Sequence, residues 1–295
     1  MQVSKKVLII GIDSFTGLNL SLHLEKKGYD IYGTSLFESS EKKYQCDITK
    51  KEEIIAIFQI LTPDFIVHLS GISFAAHGND EDFYKVNTIG TTNILDALVS
   101  LNMHPKKVIL ASSATVYGNQ GLEVLDESLC PKPSNHYGAS KYVMETLARG
   151  YFDKLNIMIT RPFNYTGSGQ AEHFLIPKIV KHFKEHKKVI ELGNIDVSRE
   201  FNDISFLCEV YERILSVDDD SIVVNICSNR GIKLLEVIEY MQEIAGYTIE
   251  VKVNPAFVRK DDIKTLTGSP KNLVSLIGVV KQKDFKETLR EMYEA

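Results

Sequence analysis

The stretch Val7-Leu-Ile-Ile-Gly-Ile-Asp-Ser-Phe-Thr-Gly17 is a short apolar run that leads directly into a glycine-containing turn. Its first four residues are all apolar, which is typical of a strand that is covered on both faces. A helical pattern follows from Leu18 to Lys27 and ends at Gly28. Strand, glycine-rich turn and helix in this order are typical of a parallel α/β fold, in which the helix N-terminus can face a bound phosphate.

Short apolar runs alternate with helical patterns through the first half of the chain. The predicted strands are Val7–Ile10, Asp30–Thr34, Phe65–Leu69, Lys107–Ser112 and Asn156–Thr160, and the predicted helices are Leu18–Lys27, Lys51–Leu61, Val86–Leu101 and Tyr137–Phe152. This alternation predicts parallel βαβ units, hence an α/β fold with a doubly wound parallel sheet of the Rossmann type over residues 1–165. The pattern then loosens, and residues 166–295 are predicted to form a smaller C-terminal lobe, partly interleaved with the first domain.

The composition indicates an ordinary globular protein. Of the 295 residues, 44% are apolar and 25% are charged, and the formal net charge is −5. Lysines and arginines are not clustered, which argues against a nucleic-acid partner. The apolar runs are too short for a signal peptide or a membrane span. The four cysteines show no paired spacing, so we expect reduced thiols in a cytoplasmic protein that does not bind a membrane.

The turn from Gly11 to Gly17 is the candidate phosphate-binding segment. Its spacing resembles GxxGxxG, although Ser14 stands where the middle glycine would be. Glycines let the backbone approach a dinucleotide pyrophosphate closely, and Ser14 is small enough to take the position and donate a hydroxyl bond instead. The candidate cofactor residues here are Gly11, Ser14, Phe15, Thr16 and Gly17. A plain tight turn in an α/β protein is the alternative interpretation.

Tyr137 and Lys141 are the candidate proton-transfer pair. They are four residues apart on a predicted helix, so the ammonium group can lie beside the phenol. A cation there favours the phenolate, which lets Tyr137 exchange a proton with an alcohol or a carbonyl near neutral pH. Ser113 follows the predicted strand Lys107–Ser112, at the strand end where such folds place substrate chemistry, and it can polarise the same oxygen. The alternative is an incidental Tyr/Lys pair on a helix surface.

Three motifs carry a resemblance to a known family: Gly11…Gly17, Ser113-Ala-Thr-Val-Tyr-Gly118 and Tyr137-Gly-Ala-Ser-Lys141. They resemble the extended short-chain dehydrogenase/reductases that act on nucleotide-diphosphate sugars, and the likeness covers nearly the whole chain. Within that family the likeness is nearest to the GDP-4-keto-6-deoxy-D-mannose reductases. The resemblance implies an NAD(P)-dependent oxidoreductase in which Ser113, Tyr137 and Lys141 are catalytic and the C-terminal lobe binds the substrate.

The resemblance also implies the remaining site residues. Those implied for the cofactor, besides the glycine turn, are Asp47 and Ile48 at the adenine, Leu69, Ser70 and Gly71 at the phosphates and ribose, Asn87 as a support of the active site, Pro162 and Phe163 at the nicotinamide, and Tyr137 and Lys141 themselves. Those implied for the substrate are Ser73, Thr115, Asn164, Arg199 and Arg259. The two arginines are expected to bind the substrate diphosphate, because a guanidinium group can bond phosphate oxygens in pairs.

The residues after Ser113 help to separate the reactions of this family. Related 4,6-dehydratases carry an acidic residue two positions after the catalytic Ser/Thr, whereas this chain has Ala114 and Thr115. Dehydration is therefore disfavoured. The main hypothesis is reduction of the C4 ketone of a nucleotide-linked 4-keto-6-deoxyhexose, in which the nicotinamide delivers hydride and Tyr137 protonates the alkoxide. Two alternatives stay open, a sugar-nucleotide 4-epimerase with tightly bound NAD and a non-catalytic NAD(P)-binding sensor.

The end of the second predicted strand bears on the choice of coenzyme. Ser35 stands where relatives that prefer NAD usually have an aspartate for the ribose hydroxyls, so NADP(H) is favoured over NAD(H). Leu36 follows at the position where an arginine would mark NADP. The sequence therefore favours NADP(H) because no carboxylate at Ser35 would repel the 2′-phosphate, and not because a cation at Leu36 would attract it.

The remaining predictions concern metals and partners. No metal site is predicted, because His182 and His186 have ligand spacing on a helix but lack a third ligand. A nucleotide-diphosphate sugar is the expected partner. The family resemblance also implies a homodimer, formed through the helices Val86–Leu101 and Tyr137–Phe152.

Overall fold

The computed structural model describes residues 4–73, 78–218, 221–258 and 264–295. The strands are β1 Lys6–Ile10, β2 Asp30–Ser35, β3 Lys43–Gln45, β4 Phe65–His68, β5 Lys107–Ala111, β6 Val124–Leu125, β7 Ile157–Pro162, β8 Tyr165–Thr166, β9 Val189–Leu192, β10 Ser198–Glu200, β11 Asn202–Asp203, β12 Ile222–Ile226, β13 Gly231–Lys233, β14 Glu250–Val253 and β15 Thr265–Gly268. The helices are α1 Phe15–Lys26, α2 Lys51–Ile60, α3 Asp80–Phe83, α4 Thr91–Ser100, α5 His136–Ala148, α6 Leu175–Lys184, α7 Ile204–Leu215, α8 Leu234–Ala245, α9 Lys271–Ile277 and α10 Phe285–Glu294. A π-helical segment, Tyr84–Gly90, joins α3 to α4.

The large sheet has seven strands in the order β12, β7, β5, β4, β1, β2, β3. Neighbouring strands from β7 to β3 run parallel, with Val7 opposite both Ile31 and Phe65. The chain moves outward from β1 to β2 and β3, then returns to β4 on the other side of β1. In open α/β sheets, ligands bind at such a reversal, beyond the carboxyl ends of the strands. The predicted doubly wound parallel sheet is confirmed.

Both faces of this sheet are buried. Leu8 and Ile10 of β1 belong to a core cluster with side chains of α2, α4 and α5. Because successive residues of a strand face opposite sides, Val7 and Ile9 face the other side, and both are fully buried as well. Burying an aliphatic side chain of this size stabilises the fold by about 1.5–3 kcal/mol relative to exposing it. The all-apolar β1 is therefore explained by cover on both faces.

Helix α1 begins at Phe15, three residues before the start predicted at Leu18. Ser14 is its N-cap, and the Ser14 side chain accepts a hydrogen bond from the backbone N–H of Gly17. A serine at the N-cap satisfies a donor that the helix itself cannot, which outweighs the low helix propensity of Gly17. The second half of the glycine turn is thus the first turn of the helix.

The helix predicted over Val86–Leu101 also begins earlier, at α3, and is not regular. Asn79 caps α3 by accepting a hydrogen bond from the N–H of Glu81. The π-helical segment then adds one residue per turn, and such segments are frequent at functional sites. The Thr91 hydroxyl donates to the Asn87 carbonyl oxygen at 2.7 Å, where the segment passes into α4.

The chain divides into two compact units. The first comprises Met1–Gly118, Cys130–Pro162 and Cys208–Val224, and the second comprises Asn119–Leu129, Phe163–Leu207 and Asn225–Ala295. The second unit has a core of its own, in which apolar side chains of α6, α8 and α10 pack together, and a four-stranded sheet in the order β13, β10, β15, β6. Within the described ranges, no helix is both long enough and apolar enough to span a bilayer.

Candidate active site

The glycine turn lies between β1 and α1, and at Gly11 and Gly17 its backbone is packed too tightly for a side chain. Gly11 has a φ of +89°, and a Cβ there would lie 2.6–2.9 Å from atoms of Ser70. A Cβ on Gly17 would lie 2.4 Å from the Gly11 carbonyl oxygen. The positive end of the α1 dipole faces this turn at the carboxyl end of β1. The turn therefore fits the pyrophosphate of a dinucleotide, for which a glycine-lined helix N-terminus is a usual site.

Ser14 stabilises the turn internally. Its Oγ donates to the Gly11 carbonyl oxygen at 2.8 Å and accepts from the Gly17 N–H at 3.0 Å. The Ser14 hydroxyl, which was predicted to donate to a phosphate, therefore donates to the Gly11 carbonyl oxygen instead. Phe15 is half-buried and Thr16 is buried in the first turn of α1. The backbone of this turn, rather than the serine hydroxyl, is what the structure offers to a phosphate.

The residues predicted for the adenosine end follow β2 and β3. Ser35 is buried at the end of β2, and its Oγ accepts from the N–H of Phe37 at 3.1 Å. The Asp47 carboxylate, after β3, accepts from the N–H and the hydroxyl of Thr49 at 3.0 and 2.7 Å. Ile48 is buried. Since β2 and β3 are adjacent parallel strands, these residues lie along one edge of the sheet.

The loop after β4 is held against the end of β1. The backbone N–H groups of Leu69 and Ser70 both donate to the Ile10 carbonyl oxygen, at 2.8 and 2.9 Å. Both residues are half-buried, whereas Ser73, a predicted substrate residue, is exposed. The loop therefore begins at the reversal between β1 and β4, next to the glycine turn.

Asn87 joins this loop to α5. Its side chain accepts from the N–H of Ile72 at 2.8 Å and donates to the Ile72 carbonyl oxygen at 3.1 Å and to the Ser140 Oγ at 3.1 Å. A Cβ on Gly71 would lie 2.7 Å from the Asn87 Oδ1 and 3.2 Å from the Lys141 Nζ. The predicted cofactor residues Gly71, Asn87 and Lys141 are thus in direct contact.

Lys141 is buried beneath the strand ends. Its Nζ donates to the Ala111 carbonyl oxygen at 2.7 Å, at the carboxyl end of β5. Burial lowers the pKa of Lys141 to about 8, although the nearby Glu145 carboxylate acts to raise it. Pro162 is buried at the carboxyl end of β7, the neighbour of β5 in the sheet. A lysine of this kind can hold a positive charge near neutral pH and lose it in mild alkali.

Ser113 and Tyr137 lie on segments that pack together. Ser113 is extended, with φ −163° and ψ 148°, and its Oγ accepts from the backbone N–H and the hydroxyl of Thr115 at 3.2 and 2.9 Å. Tyr137 is half-buried in the first turn of α5, with its ring centroid 6.2 Å from that of Phe83. A Cβ on Gly138 would lie 2.8 Å from the Thr115 carbonyl oxygen. The start of α5 therefore packs directly on the segment that follows Ser113.

His68 is a buried titratable residue to which the sequence analysis assigned no role. Thr91 donates its proton to Asn87, so its oxygen accepts from His68 Nε2, which lies at 2.9 Å. Burial lowers the pKa of His68 to about 3, and the charge of Lys141 adds to this effect. Among the described residues, the His68 Nδ1 has no hydrogen-bond partner. The imidazole is thus neutral at physiological pH.

A second missed group is the ion pair between Glu145 and Arg161. Both side chains are almost completely buried, and the guanidinium makes two bonds to the carboxylate. The sequence contains one signal for it, because Glu145 lies one helical turn after Lys141 on the same face. That signal also fits an exposed Lys/Glu pair, which is common on helices.

The second unit contains the other predicted residues. Phe163 is buried and Asn164 is half-buried at the beginning of this unit. Arg199, on β10, donates from Nη1 to the carbonyl oxygen of Ser198 at 2.8 Å. Arg259 lies outside the described residues. The roles of these residues in substrate binding stay predictions.

A possible metal site occurs in the first unit, outside the predicted residues. Among the described residues, the ligand atoms of His23, Glu209 and Glu212 lie within 4.8 Å of one another. The Lys27 ammonium lies 3.5 and 3.4 Å from the two carboxylates. Because the Lys27 ammonium already neutralises the carboxylate charge that would attract a metal cation, we assign no metal to this cluster.

Comparisons with known proteins agree with the geometry. GDP-6-deoxy-D-talose 4-dehydrogenase from Aggregatibacter actinomycetemcomitans is 37% identical over 98% of this chain and 97% of its own length. GDP-6-deoxy-D-mannose reductase from Pseudomonas aeruginosa is 27% identical over 98% of this chain and 96% of its own length. The solved structure of RMD from Pseudomonas aeruginosa complexed with NADPH superposes with a TM-score of 0.87 at 25% identity, covering 99% of this chain and 97% of that one.

The family described as NAD dependent epimerase/dehydratase matches residues 7–227. This match contains the glycine turn and all three predicted catalytic residues. The predicted resemblance and the predicted class, an NAD(P)-dependent enzyme, are confirmed. The chain belongs to the NAD dependent epimerase/dehydratase family, the extended group of short-chain dehydrogenases and reductases.

Proposed function

We propose that this chain reduces the C4 ketone of a nucleotide-diphosphate 4-keto-6-deoxyhexose with NAD(P)H. The two relatives compared above are named as a GDP-sugar 4-dehydrogenase and a GDP-sugar reductase. Oxidation of a C4 alcohol and reduction of a C4 ketone are opposite directions of one hydride exchange, so both names describe the same chemistry. The observation that carries the proposal is the hydrogen bonding of Ser113.

Ser113 is arranged as a donor to a substrate oxygen. Its Oγ accepts two hydrogen bonds from Thr115. The Ser113 hydroxyl can therefore donate its own hydrogen bond to a ketone or alkoxide oxygen. The Thr115 hydroxyl is used in this arrangement, and Ala114 is buried. The two positions after Ser113 therefore supply no acid or base for removing water from a sugar, which favours reduction over dehydration.

The other catalytic roles follow from Tyr137 and Lys141. Bound NAD(P)H would supply the hydride. Tyr137 gives its proton to the oxygen that Ser113 polarises, and Lys141 stabilises the phenolate that remains. Lys141 is fixed for this role by its bond to Ala111 and by burial, which removes competing water.

We assign the coenzyme site to the carboxyl ends of β1, β2 and β4. The glycine turn and the N-terminus of α1 hold the pyrophosphate, Asp47 and Ile48 lie towards the adenine, and Gly71 and Asn87 lie towards the nicotinamide ribose. NADP(H) is the preferred coenzyme in this proposal. It is supported by the absence of a carboxylate at Ser35, which removes a repulsion against the 2′-phosphate of NADP(H).

The proposal is tested by following coenzyme oxidation with freshly prepared GDP-4-keto-6-deoxy-D-mannose and either NADPH or NADH. We expect consumption of NADPH, and we expect Tyr137→Phe to lower kcat roughly 100-fold or more while NADPH still binds. Coenzyme binding is measured by nicotinamide fluorescence. A Tyr137→Phe variant with wild-type kcat would contradict the mechanism, and faster consumption of NADH would contradict the coenzyme preference.

A 4-epimerase is the second candidate, since the family name includes this activity and epimerisation needs the same catalytic group. It would return the hydride within one cycle, so it would convert a sugar nucleotide without added coenzyme and would copurify with NAD. A sensor would bind coenzyme and turn over no sugar nucleotide. Coenzyme oxidation identifies the reductase, and chromatography of sugar nucleotides incubated without added coenzyme separates the epimerase from the sensor.

We also propose a cytoplasmic homodimer. Val143 and Leu147 lie one turn apart on α5 and are 39% and 43% exposed, and Ile89 of the π-helical segment is 51% exposed. A second copy of the chain would cover this apolar face. Light scattering measures the oligomeric state, and a monomer at micromolar concentration would contradict the dimer. A reducing compartment suits the four cysteines, which no disulfide joins.

A further inference from the structure

We propose that Glu145 is a positioning residue, whose buried carboxylate holds the strand end that carries Ser113 in register with the helix that carries Tyr137 and Lys141. The inference rests on the proposed function, because it assigns Ser113 and Lys141 their catalytic roles. It concerns three elements of the first unit, namely α5 and the carboxyl ends of β5 and β7.

The carboxylate of Glu145 is fully satisfied inside the first unit. Its Oε1 accepts from the Ser112 Oγ at 2.6 Å and from the Arg161 Nε at 2.9 Å, and its Oε2 accepts from the Arg161 Nη2 at 2.6 Å. Ser112 directly follows β5, and Arg161 lies near the end of β7. One side chain of α5 thus ties together the ends of two adjacent strands.

The bonds of Glu145 act together with the bond of Lys141. Lys141 donates to the Ala111 carbonyl oxygen, and Glu145, one turn further along α5, binds the next residue of the chain, Ser112. Two side chains of one helix therefore grip two successive residues that immediately precede Ser113. These two contacts fix both the position of α5 along its axis and its rotation relative to the strand end. A single contact would leave the helix free to rotate about it.

Arg161 connects the same carboxylate to the segment after Ser113. Its guanidinium carbon lies 4.7 Å from the centre of the Tyr117 ring, and Tyr117 is fully buried. Its Nη1 is buried and has no hydrogen-bond partner among the described residues. Replacing a buried ion pair by an apolar pair of the same size often leaves stability unchanged or raises it, so stability alone gives no reason for this arrangement. A requirement for fixed geometry and a fixed charge at this place explains it.

The charge of Glu145 also reaches Lys141. The titratable groups coupled to the charge of the lysine are Glu145 from α5 and His68 from β4, and the neutral Asn87 of the π-helical segment lies close by, across Gly71. Glu145 in turn pairs with Arg161 at 2.6 Å and lies 3.8 Å from Arg149. His68 is neutral near pH 7, as described above. Glu145 is accordingly the negative charge that helps to keep Lys141 protonated against the effect of burial.

The experiment compares Glu145→Gln with two other variants. In Glu145→Gln we expect kcat to fall roughly tenfold or more, and we expect the alkaline limb of both kcat and NADPH binding to move to lower pH, because Lys141 loses its negative neighbour. Ser112→Ala breaks the strand link without changing any charge, so we expect a lower kcat with the alkaline limb unmoved. Tyr211→Phe removes a 3.1 Å bond to Thr160 of β7 elsewhere in the first unit, and we expect wild-type kcat and pH dependence.

The possible results distinguish positioning from mere stability. Circular dichroism and urea unfolding establish that each variant is folded under the assay conditions. Wild-type kcat and an unmoved alkaline limb in folded Glu145→Gln would overturn the inference. If Glu145→Gln does not fold, Ser112→Ala decides, and a wild-type kcat in that variant would overturn it. If the wild-type chain turns over no sugar nucleotide, the proposed function fails, and the pH dependence of NADPH binding still tests the role of Glu145.

Discussion

Glu145 in the first unit and Glu200 in the second are both completely buried, yet their charges are stabilised in different ways. Glu145 meets a guanidinium group, which carries a full positive charge. Glu200 accepts hydrogen bonds from groups without net charge, namely the backbone N–H of Ser228, Asn229 and Gly268, the Ser228 hydroxyl and the Asn202 amide. Arg149 adds a second, more distant cation to Glu145, at 3.8 Å. A carboxylate can therefore be buried beside cations or inside a ring of dipoles.

The difference separates two tasks. The Glu145 carboxylate acts on the charge of Lys141, the residue to which the proposed function assigns the stabilisation of the phenolate. Three of the five donors to Glu200 belong to the backbone, so that carboxylate links three chain segments, β10, the loop after β12 and the end of β15. The first region is organised for charge, and the second for chain geometry.

The largest effect is expected from removing the carboxylate of the second region. Glu200→Ala leaves two buried donors, the Gly268 N–H and the Asn202 amide, and two partly buried N–H groups without their acceptor. An unsatisfied buried group costs about 1–3 kcal/mol, so we expect a loss of roughly 5 kcal/mol in the free energy of unfolding. Urea denaturation measures this loss. Glu239→Ala on the exposed face of α8 is the control, with an expected change within about 0.5 kcal/mol. A loss below about 1 kcal/mol in Glu200→Ala would show that the ring of donors finds other partners.

The next effect concerns the ion pair and its replacement. Arg161→Met leaves the buried Glu145 charge without its hydrogen-bonded cation, with only the half-exposed Arg149 at 3.8 Å, and we expect a loss of roughly 3–5 kcal/mol in unfolding free energy. Adding Glu145→Leu should restore stability to within about 1–2 kcal/mol of the wild type, because an apolar pair can fill the same space. Turnover should stay low in the double variant. A double variant as unstable as the single one would mean that this region, like that of Glu200, depends on its hydrogen bonds rather than on charge balance.

The smallest effect is a response of the first region to acid. The folded-state pKa of His68 is about 3, below its ordinary value of 6.5, so the unfolded chain takes up a proton that the folded chain does not. The contribution of His68 to stability is complete above pH 6.5 and declines as the pH falls below it, by about 2 kcal/mol between pH 6.5 and pH 5. His68→Gln should remove this decline. Exposed His104→Gln, measured in the same urea titrations, should leave it in place. An unchanged decline in His68→Gln would assign the acid response to other groups.

The sequence predicted those parts of the molecule that depend on local pattern. Apolar runs identified β1, β4, β5 and β7, because strands buried on both faces are largely apolar. Strand β3 has only three residues and a polar sequence, so it has no such pattern. The pair Tyr137 and Lys141 was predicted because four residues on a helix define one face, which requires no knowledge of the rest of the chain.

The two buried glutamates show why the rest could not be predicted. The partners of Glu145 are 33 residues before it and 16 residues after it, and only the order of strands in the sheet brings them together. The partners of Glu200 are mostly backbone N–H groups, which every residue except proline carries, so no side-chain pattern marks them. Both sites result from chain topology, and a charged residue in a sequence carries no local sign that it will be buried.

Ser14 has a consequence for how such chains are recognised. The outer glycines of the turn are required by space, since a Cβ at Gly11 or Gly17 would overlap the backbone. The middle position is required to begin a helix, and a serine does this through its side chain. The three positions of the glycine signature thus have two different requirements. The outer two need a residue without a Cβ, and the middle one needs a residue that can cap a helix. A search that weights all three equally will overlook members of the family that have replaced the middle glycine with a capping residue.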